Sequence, residues 1–196
     1  EENEWNDQHV NVYALSKYEA EMEVWRGSQE GLPMVIVNPG VILGPGFWET
    51  GTGNLFTTAN KTYTYYPPGG TGFITVNDVV RMMVLLMNSE IRNERFIAVA
   101  KNLSFKEILT QLKKALEKPQ PTKQLQYWQL EVGVVLDFIC CALTGRARSI
   151  TKNTIHSMKH RDAYNNIKVK DFLNFEFEDL NATIDFSCQR FLEENL

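Results

Sequence analysis

The chain predicts an α/β fold: the latter part of a Rossmann-type, doubly wound parallel sheet, together with a small, mostly helical region. Three observations predict it. Leu15, Tyr18, Met22 and Trp25 recur at three- and four-residue intervals, which marks one face of a helix, and Gly31 stops that helix. Met34-Val35-Ile36-Val37 follows as a short apolar run without polar alternation, cut off by Asn38-Pro39-Gly40. Such a run suits an interior strand of a parallel sheet whose carboxyl end opens onto a ligand crevice. Later, the β-branched run Phe73-Ile74-Thr75-Val76 leads directly into the apolar positions Val79, Val80, Met83, Val84, Leu86 and Met87, again strand and then helix.

Residues 1–11 are polar and acidic and read as a surface loop, with Asn11 able to cap the helix that follows and His9 an exposed loop histidine. The helix opens on Val12-Tyr13-Ala14-Leu15-Ser16-Lys17. Tyr13 and Lys17 are four apart, so their side chains lie one above the other on a helix. An unperturbed phenol has a pKa of about 10 and exchanges protons slowly near neutrality. A fixed cation beside it favours the phenolate, which makes the pair suitable acid/base hardware. The bland alternative is a helix face with a half-buried phenol and a solvated lysine.

The glycines of Pro67-Pro68-Gly69-Gly70-Thr71-Gly72 run into a β-branched segment rather than a helix, so they predict a turn into a strand and not a phosphate cradle. Asp78 then caps a helix apolar nearly all round, expected to be a buried crossover with Asp78 structural. Ser104 and Glu107 form a capping box for a helix over 103–117. Residues 118–123 are the clearest linker. In the helix over 125–143 the densest apolar part, 132–143, is interrupted by Asp137 and too short to cross a bilayer, so it is expected in the core or against a partner. Arg146 and Arg148 read as a solvated loop. His156 and His160, four apart without a third ligand or intervening glutamate, read as surface or interface histidines. A last helix over 180–196 docks through Ile184, Phe186, Cys188, Phe191 and Leu192.

Tyr13-Ala14-Leu15-Ser16-Lys17, followed about twenty residues later by Val37-Asn38-Pro39-Gly40-Val41-Ile42-Leu43-Gly44-Pro45-Gly46, resembles the active-site helix and following strand of the extended short-chain dehydrogenases/reductases. The branch it resembles holds NAD(P)-dependent epimerases/dehydratases and dihydroflavonol-reductase-like enzymes. Three later segments are similar to that family in the same order: Phe73 to Arg81, Glu94 to Ile108, and Tyr164 to Phe175. The resemblance implies that Tyr13 and Lys17 are catalytic and contact cofactor. It also implies that Pro39, Val41 and Ile42 line the nicotinamide through their backbone, and that NAD or NADP is the cofactor. Phe47 and Trp48 are candidates for an apolar wall beside substrate, with a packed loop as the alternative.

The resemblance further implies that residues 1–101 are the back half of a Rossmann-like NAD(P)-binding domain and residues 102–196 a mostly helical substrate region. No Gly-x-x-Gly-x-x-Gly occurs. The chain is therefore expected to be the carboxyl-terminal portion of a longer enzyme, and by itself neither to bind dinucleotide tightly nor to turn over. The implied activity is reduction of a carbonyl or oxidation of a secondary alcohol. The alternatives are a nucleotide-sugar epimerase/dehydratase, and a non-catalytic NAD(P)-binding or interaction protein of the same fold.

The bulk numbers fit these readings. The 196 residues are 43% hydrophobic and 22% charged, as in ordinary globular chains. A net charge of -4 gives no basic footprint for nucleic acid. Cys140, Cys141 and Cys188 form neither a metal-ligand spacing nor a disulfide framework, which favours a reducing, cytoplasmic setting and no metal. The expected partners are a small carbonyl, alcohol or nucleotide-sugar substrate, with neither nucleic acid nor membrane, and a homodimer is allowed.

Overall fold

The structure, a computed structural model, describes residues 12–145 and 152–195, without the side chains of 152–154. The Asn11 cap, His9, Arg146 and Arg148 lie outside the described residues.

Helix α1 (Val12–Gln29) ends at Gly31, whose φ of +93° turns the chain through a conformation that side chains resist. Strand β1 (Val35–Pro39) follows and pairs in parallel with β5 (Glu94–Ala98), Val35 opposite Glu94 and Pro39 opposite Ala98. At Gly40, whose N–H donates to Ala98 O at 3.0 Å, the chain passes into β2 (Val41–Leu43). A Cβ on Gly40 would stand 2.5 Å from the Gly72 carbonyl oxygen, so the two backbones could not approach this closely with any other residue.

Strand β2 runs parallel to β4 (Gly70–Thr75), and β4 runs antiparallel to β6 (Lys101–Ser104). Two short strands, β3 (Tyr65–Tyr66) and β7 (Lys123–Gln124), pair separately. The parallel β1/β5 and β2/β4 pairs with flanking helices are the predicted α/β arrangement.

Because successive strand residues face opposite ways, Phe73 and Ile74 of β4 feed two different cores. On one side Phe73 and Leu43 pack with Phe56, Ile108, Leu112, Ile184 and Phe191, contributed by helices α2 (Asn54–Ala59), α4 (Phe105–Ala115) and α8 (Leu180–Asn195). On the other, Ile74 packs with Val79 and Met82 of α3 (Val76–Met87), Phe96 of β5, Val169 of α7 (Ile167–Leu173), and Phe175. Side chains from before and after residue 101 share both clusters.

Several expectations are corrected. No residue of α1 is fully buried: Leu15 and Met22 are exposed, and Tyr18 and Trp25 half-buried. β1 is likewise half-buried, because among the described residues it has a paired neighbour only at β5. Helix α3 is not buried all round. Val79, Met82 and Leu86 face inward while Val80, Met83, Val84, Leu85 and Met87 are exposed. Its N-cap is Thr75, whose hydroxyl oxygen accepts from the Asp78 N–H at 3.0 Å, not Asp78 itself.

Helix α5 (Tyr127–Thr144) is an uninterrupted 18-residue helix, long and apolar enough by length and composition to cross a membrane. It is not a core helix, since it buries only Leu130, Val134, Asp137 and Cys141. Asp137, taken from the sequence as an interruption, faces inward with them. Leu130 and Val134 pack on Ile155 of helix α6 (Lys152–Lys159).

Candidate active site

Tyr13 and Lys17 share one face of α1, with Lys17 Nζ 5.6 Å from the Tyr13 ring centroid. The phenol is 71% exposed. One further turn along the same stripe stands Glu21. Its carboxylate accepts from Arg95 Nη1 at 2.9 Å, Asn38 Nδ2 at 3.0 Å and Trp25 Nε1 at 3.3 Å. These bonds tie the middle of α1 to the carboxyl end of β1 and to β5. Tyr13 is eight residues before Glu21, so the phenol stands roughly 12 Å along the helix axis from that anchor.

The Glu21 anchor was not singled out from the sequence, although the signal is there. Tyr13, Lys17 and Glu21 are spaced four and four, and an acid continuing a functional stripe calls for a buried partner. Burial raises the Glu21 carboxyl, but the hydrogen bonds from Arg95, Asn38 and Trp25 outweigh it and hold the group below the usual carboxylate range. A depressed carboxylate contributes stability that is fully present above its unfolded pKa of about 4.3 and is lost as pH falls through the lower folded value. Glu21→Gln is therefore expected to cost about 1–2 kcal/mol at neutral pH and to flatten the acid limb of a melting-temperature profile, measured by circular dichroism between neutrality and strong acid. An unchanged acid limb in the variant would show that Glu21 does not clamp the helix.

The carboxyl ends of β1 and β2 supply the floor. Pro39 is exposed and, with Asn38, Gly40, Arg95, Val99 and Tyr164, lines a cavity of about 280 Å³. Val41 and Ile42 are half-buried, and their side chains pack toward opposite cores. Ile42 also borders a cavity of about 270 Å³ with Gly44, Pro45, Gly46, Phe47 and Val76. A larger cleft of about 590 Å³ shares Pro45 and Val76 and is walled by Asn77, Glu178, Ala182, Thr183 and Phe186.

The two aromatic candidates separate. Phe47 is 88% exposed at φ +52°, a backbone conformation unfavourable for a bulky side chain by roughly 1–2 kcal/mol. Trp48 is instead 8% exposed. Its ring makes edge contacts with Phe56 and Phe191 at 5.2 Å each, and its Nε1 donates to Glu194 Oε2 at 2.8 Å. The packed-loop alternative therefore describes Trp48, and Phe47 borders a cavity. The left-handed residue turns the chain so that consecutive aromatics point opposite ways. Gly53 makes this possible, because a Cβ there would lie 2.1 Å from the Phe47 carbonyl oxygen.

The remaining candidates fall elsewhere. His156 of α6 and His160 just beyond it have ring centroids 4.3 Å apart, and among the described residues no group of three side chains is arranged to hold a metal ion. All three cysteines are free thiols, and burial, with Asp185 nearby, pushes Cys188 up to about 12.

The residues present fit one end of a dinucleotide. A phenol and an ammonium stand on the helix that Glu21 ties to Asn38, Pro39 is exposed at the end of β1, and Ile42 borders a cavity, a set that suits a nicotinamide and its ribose. Among the described residues no Gly-rich strand-turn-helix stands ready for a pyrophosphate; Gly69, Gly70 and Gly72 lead into β4.

The NAD-binding family model described as "Male sterility protein" matches residues 1–87. A putative dihydroflavonol 4-reductase of Synechocystis is 30% identical over 127 residues, 61% of this chain and 36% of that protein. The chain spans about a third of the length of the curated relatives it matches, 32% to 36% in four of them. Among solved structures, a nucleoside-diphosphate-sugar epimerase from Pseudomonas aeruginosa has a TM-score of 0.74 at 18% identity, over 98% of this chain and 59% of its own. The yeast methylglyoxal/isovaleraldehyde reductase Gre2, complexed with NADPH, has 0.66 at 19% identity, over 98% and 55%. At these identities the likeness is one of fold. The family model over residues 1–87, the curated relatives and the common fold support an extended short-chain dehydrogenase/reductase family member.

Proposed function

We propose that the chain provides the acid/base pair and the substrate side of an NAD(P)-dependent oxidoreductase, a reductase of a carbonyl group or oxidant of a secondary alcohol of the dihydroflavonol-reductase-like type. The observation that carries this reading is the Lys17 ammonium beside the Tyr13 ring, on a helix that Glu21 ties to Asn38 near the carboxyl end of β1. NAD or NADP would supply or accept the hydride at its nicotinamide ring. Tyr13 Oη gives its proton to the substrate oxygen during reduction and takes it back in the reverse direction. Lys17 places its charge beside the phenol and donates its N–H groups to the nicotinamide ribose hydroxyls. Backbone at Pro39, Val41 and Ile42 lines the nicotinamide face, and Phe47 walls the substrate.

Residues 1–101 serve the cofactor side and residues 102–196 the substrate side, a division of labour within shared cores. Three free thiols suit a cytoplasmic, reducing setting. The volume of the cleft at Asn77 and Glu178 favours a second reading, a nucleotide-sugar epimerase/dehydratase, since 590 Å³ accommodates a substrate larger than a simple ketone.

Deuterium transfer separates the readings. With NADPH deuterated at the transferring position, a reductase carrying this chain puts one deuterium into a released alcohol for each cofactor oxidised. An epimerase inverts a nucleotide sugar without net oxidation, and a protein that does neither is a non-catalytic relative. The chain by itself is expected to bind dinucleotide weakly. Titrating it with NADPH while following the fluorescence of its four tryptophans checks this, and tight saturable quenching contradicts it.

A further inference from the structure

Independently of the activity above, we propose that the exposed face of the β3/β7 pair binds single-stranded nucleic acid, stacking bases on Tyr63 and Tyr65 and holding their phosphates with lysine ammoniums. The backbone sets the two rings side by side. Thr64 O accepts from the N–H groups of Thr122 and Lys123 at 2.8 and 3.0 Å, and Tyr66 O accepts from Leu125 N–H at 2.9 Å, so residues 64–66 run extended against β7. Alternate residues of an extended segment face the same way, and here Tyr63 and Tyr65 are 50% and 44% exposed while Thr64 and Tyr66 are half-buried. Two rings on one face, about 7 Å apart along the chain, make a surface on which successive bases can stack.

Each ring has a cation of its own. Lys61 Nζ lies 5.8 Å from the Tyr63 centroid, and Lys123, the register partner of Tyr65, has its Nζ 5.8 Å from that ring. Both lysines are exposed. A base laid on either ring therefore has an ammonium at hand for its phosphate.

The charge around the rings is uncompensated. Lys113, 2% exposed, lies behind Lys61 and donates from Nζ to Ala59 O and Lys61 O at 3.1 and 2.6 Å, which are carbonyls and not carboxylates. Burial, and then the nearby Lys118 charge, hold its ammonium below the ordinary lysine range. Among the described residues no ion pair includes Lys61, Lys113, Lys118 or Lys123. In the sequence, residues 50–77 hold Lys61 as their only charged residue, and residues 118–130 hold Lys118 and Lys123 and no acid. Glu117 is the one acid that adjoins the cluster in sequence, a single carboxylate against four ammoniums. Such a cluster in a chain of net charge -4 calls for an anionic partner, and the rings select one that carries bases. The expectation of no nucleic-acid partner followed from net charge, which averages over the whole surface and does not register a cluster on one face.

The test is fluorescence anisotropy of labelled oligothymidine and oligouridine of about 15 nucleotides, titrated with the chain, with a duplex of the same length and inorganic polyphosphate as competitors. Binding of the single strands is expected to saturate at low salt and to weaken with salt at a log–log slope of about -2, since Lys61, Lys118 and Lys123 contribute roughly 0.7 each. Tyr63→Ser with Tyr65→Ser is expected to weaken binding about tenfold or more, while Tyr63→Phe with Tyr65→Phe leaves it unchanged, because phenylalanine keeps the stacking face. Lys61→Gln with Lys123→Gln is expected to weaken it about tenfold and to flatten the salt dependence. Circular dichroism checks that each variant folds. Absence of binding at low salt, or serine and glutamine variants that bind as wild type does, overturns the proposal. So does a duplex that competes as well as an unlabelled single strand. Polyphosphate competing equally well, with the serine variant unimpaired, overturns it too and assigns the face to polyanions without bases. If the serine variant fails to fold, the glutamine variant, the salt slope and the preference for single strand over duplex decide.

Discussion

Tyr13→Phe is expected to lower hydride transfer by about 10²–10⁴-fold in the protein carrying this chain, with KM for the dinucleotide nearly unchanged. The substitution removes one oxygen from a side chain that is 71% exposed, so the fold loses no packing. The Lys17 ammonium keeps an aromatic face 5.6 Å away in the variant, because the cation is attracted by the ring and not by the hydroxyl. What disappears is the group that exchanges a proton with the substrate oxygen, an interaction made as charge develops, so the loss falls on kcat. Lys17→Met contrasts with it. Removing the ammonium takes the cation from beside the phenol and the donors from the ribose, so kcat falls and KM for the cofactor rises together. Rates of both variants at saturating NADPH, with primary deuterium isotope effects to confirm that hydride transfer is observed, make the comparison. Full turnover by the Phe variant would remove Tyr13 from the chemistry and favour the non-catalytic reading.

The parts of this arrangement that were legible in the sequence are those fixed by local chemistry. The capping box at Ser104 and Glu107 is formed as read, with the Ser104 oxygen accepting from Glu107 N–H at 3.2 Å and Glu107 Oε2 accepting from Ser104 N–H at 2.7 Å. The stop at Gly31, the turn into β4 and the register of Tyr13 on Lys17 are of the same kind. Strand β6 was missed because Lys101-Asn102-Leu103-Ser104 has neither β-branched residues nor an apolar alternation, and it becomes a strand only through antiparallel pairing with β4. The inward turn of Trp48 depends on the backbone of Phe47 and on Gly53, six residues away from it. The mixed exposure of α1, α3 and α5 has the same origin. Periodicity shows that a face is apolar, and the neighbours that cover it belong to tertiary structure.

The largest expected loss of stability comes from Asp78→Ala. Asp78 has no exposed surface, and its carboxylate accepts from the Glu178 N–H at 3.1 and 3.3 Å and from Arg81 Nη1 at 3.0 Å. Arg81 in turn donates to Glu176 O at 3.2 Å and stacks over Phe175, 4.9 Å from its centroid. One side chain thus holds residues 175–178, the approach to α8, against the start of α3, and Glu178 walls the largest cleft described above. Alanine leaves a part-buried N–H without its acceptor and Arg81 without its nearest carboxylate, a loss of about 2–3 kcal/mol, out of the 5–15 kcal/mol typical of a whole domain. Asp78→Asn separates charge from shape. Burial pushes the Asp78 carboxyl up, and the hydrogen bonds to Glu178 and Thr75 offset this only in part. A raised carboxyl contributes stability that is fully present below its unfolded pKa of about 3.9 and is lost as pH rises through the folded value, the opposite sense to Glu21. The asparagine variant lacks that decline but has one fewer acceptor, so it should lose less than alanine at neutral pH and show a flatter rise toward acid. Urea midpoints of both variants across the acid range measure this. Equal losses for the two substitutions, independent of pH, would mean that the carboxylate acts by packing alone and that the cleft wall is held by something other than its hydrogen bonds to Glu178.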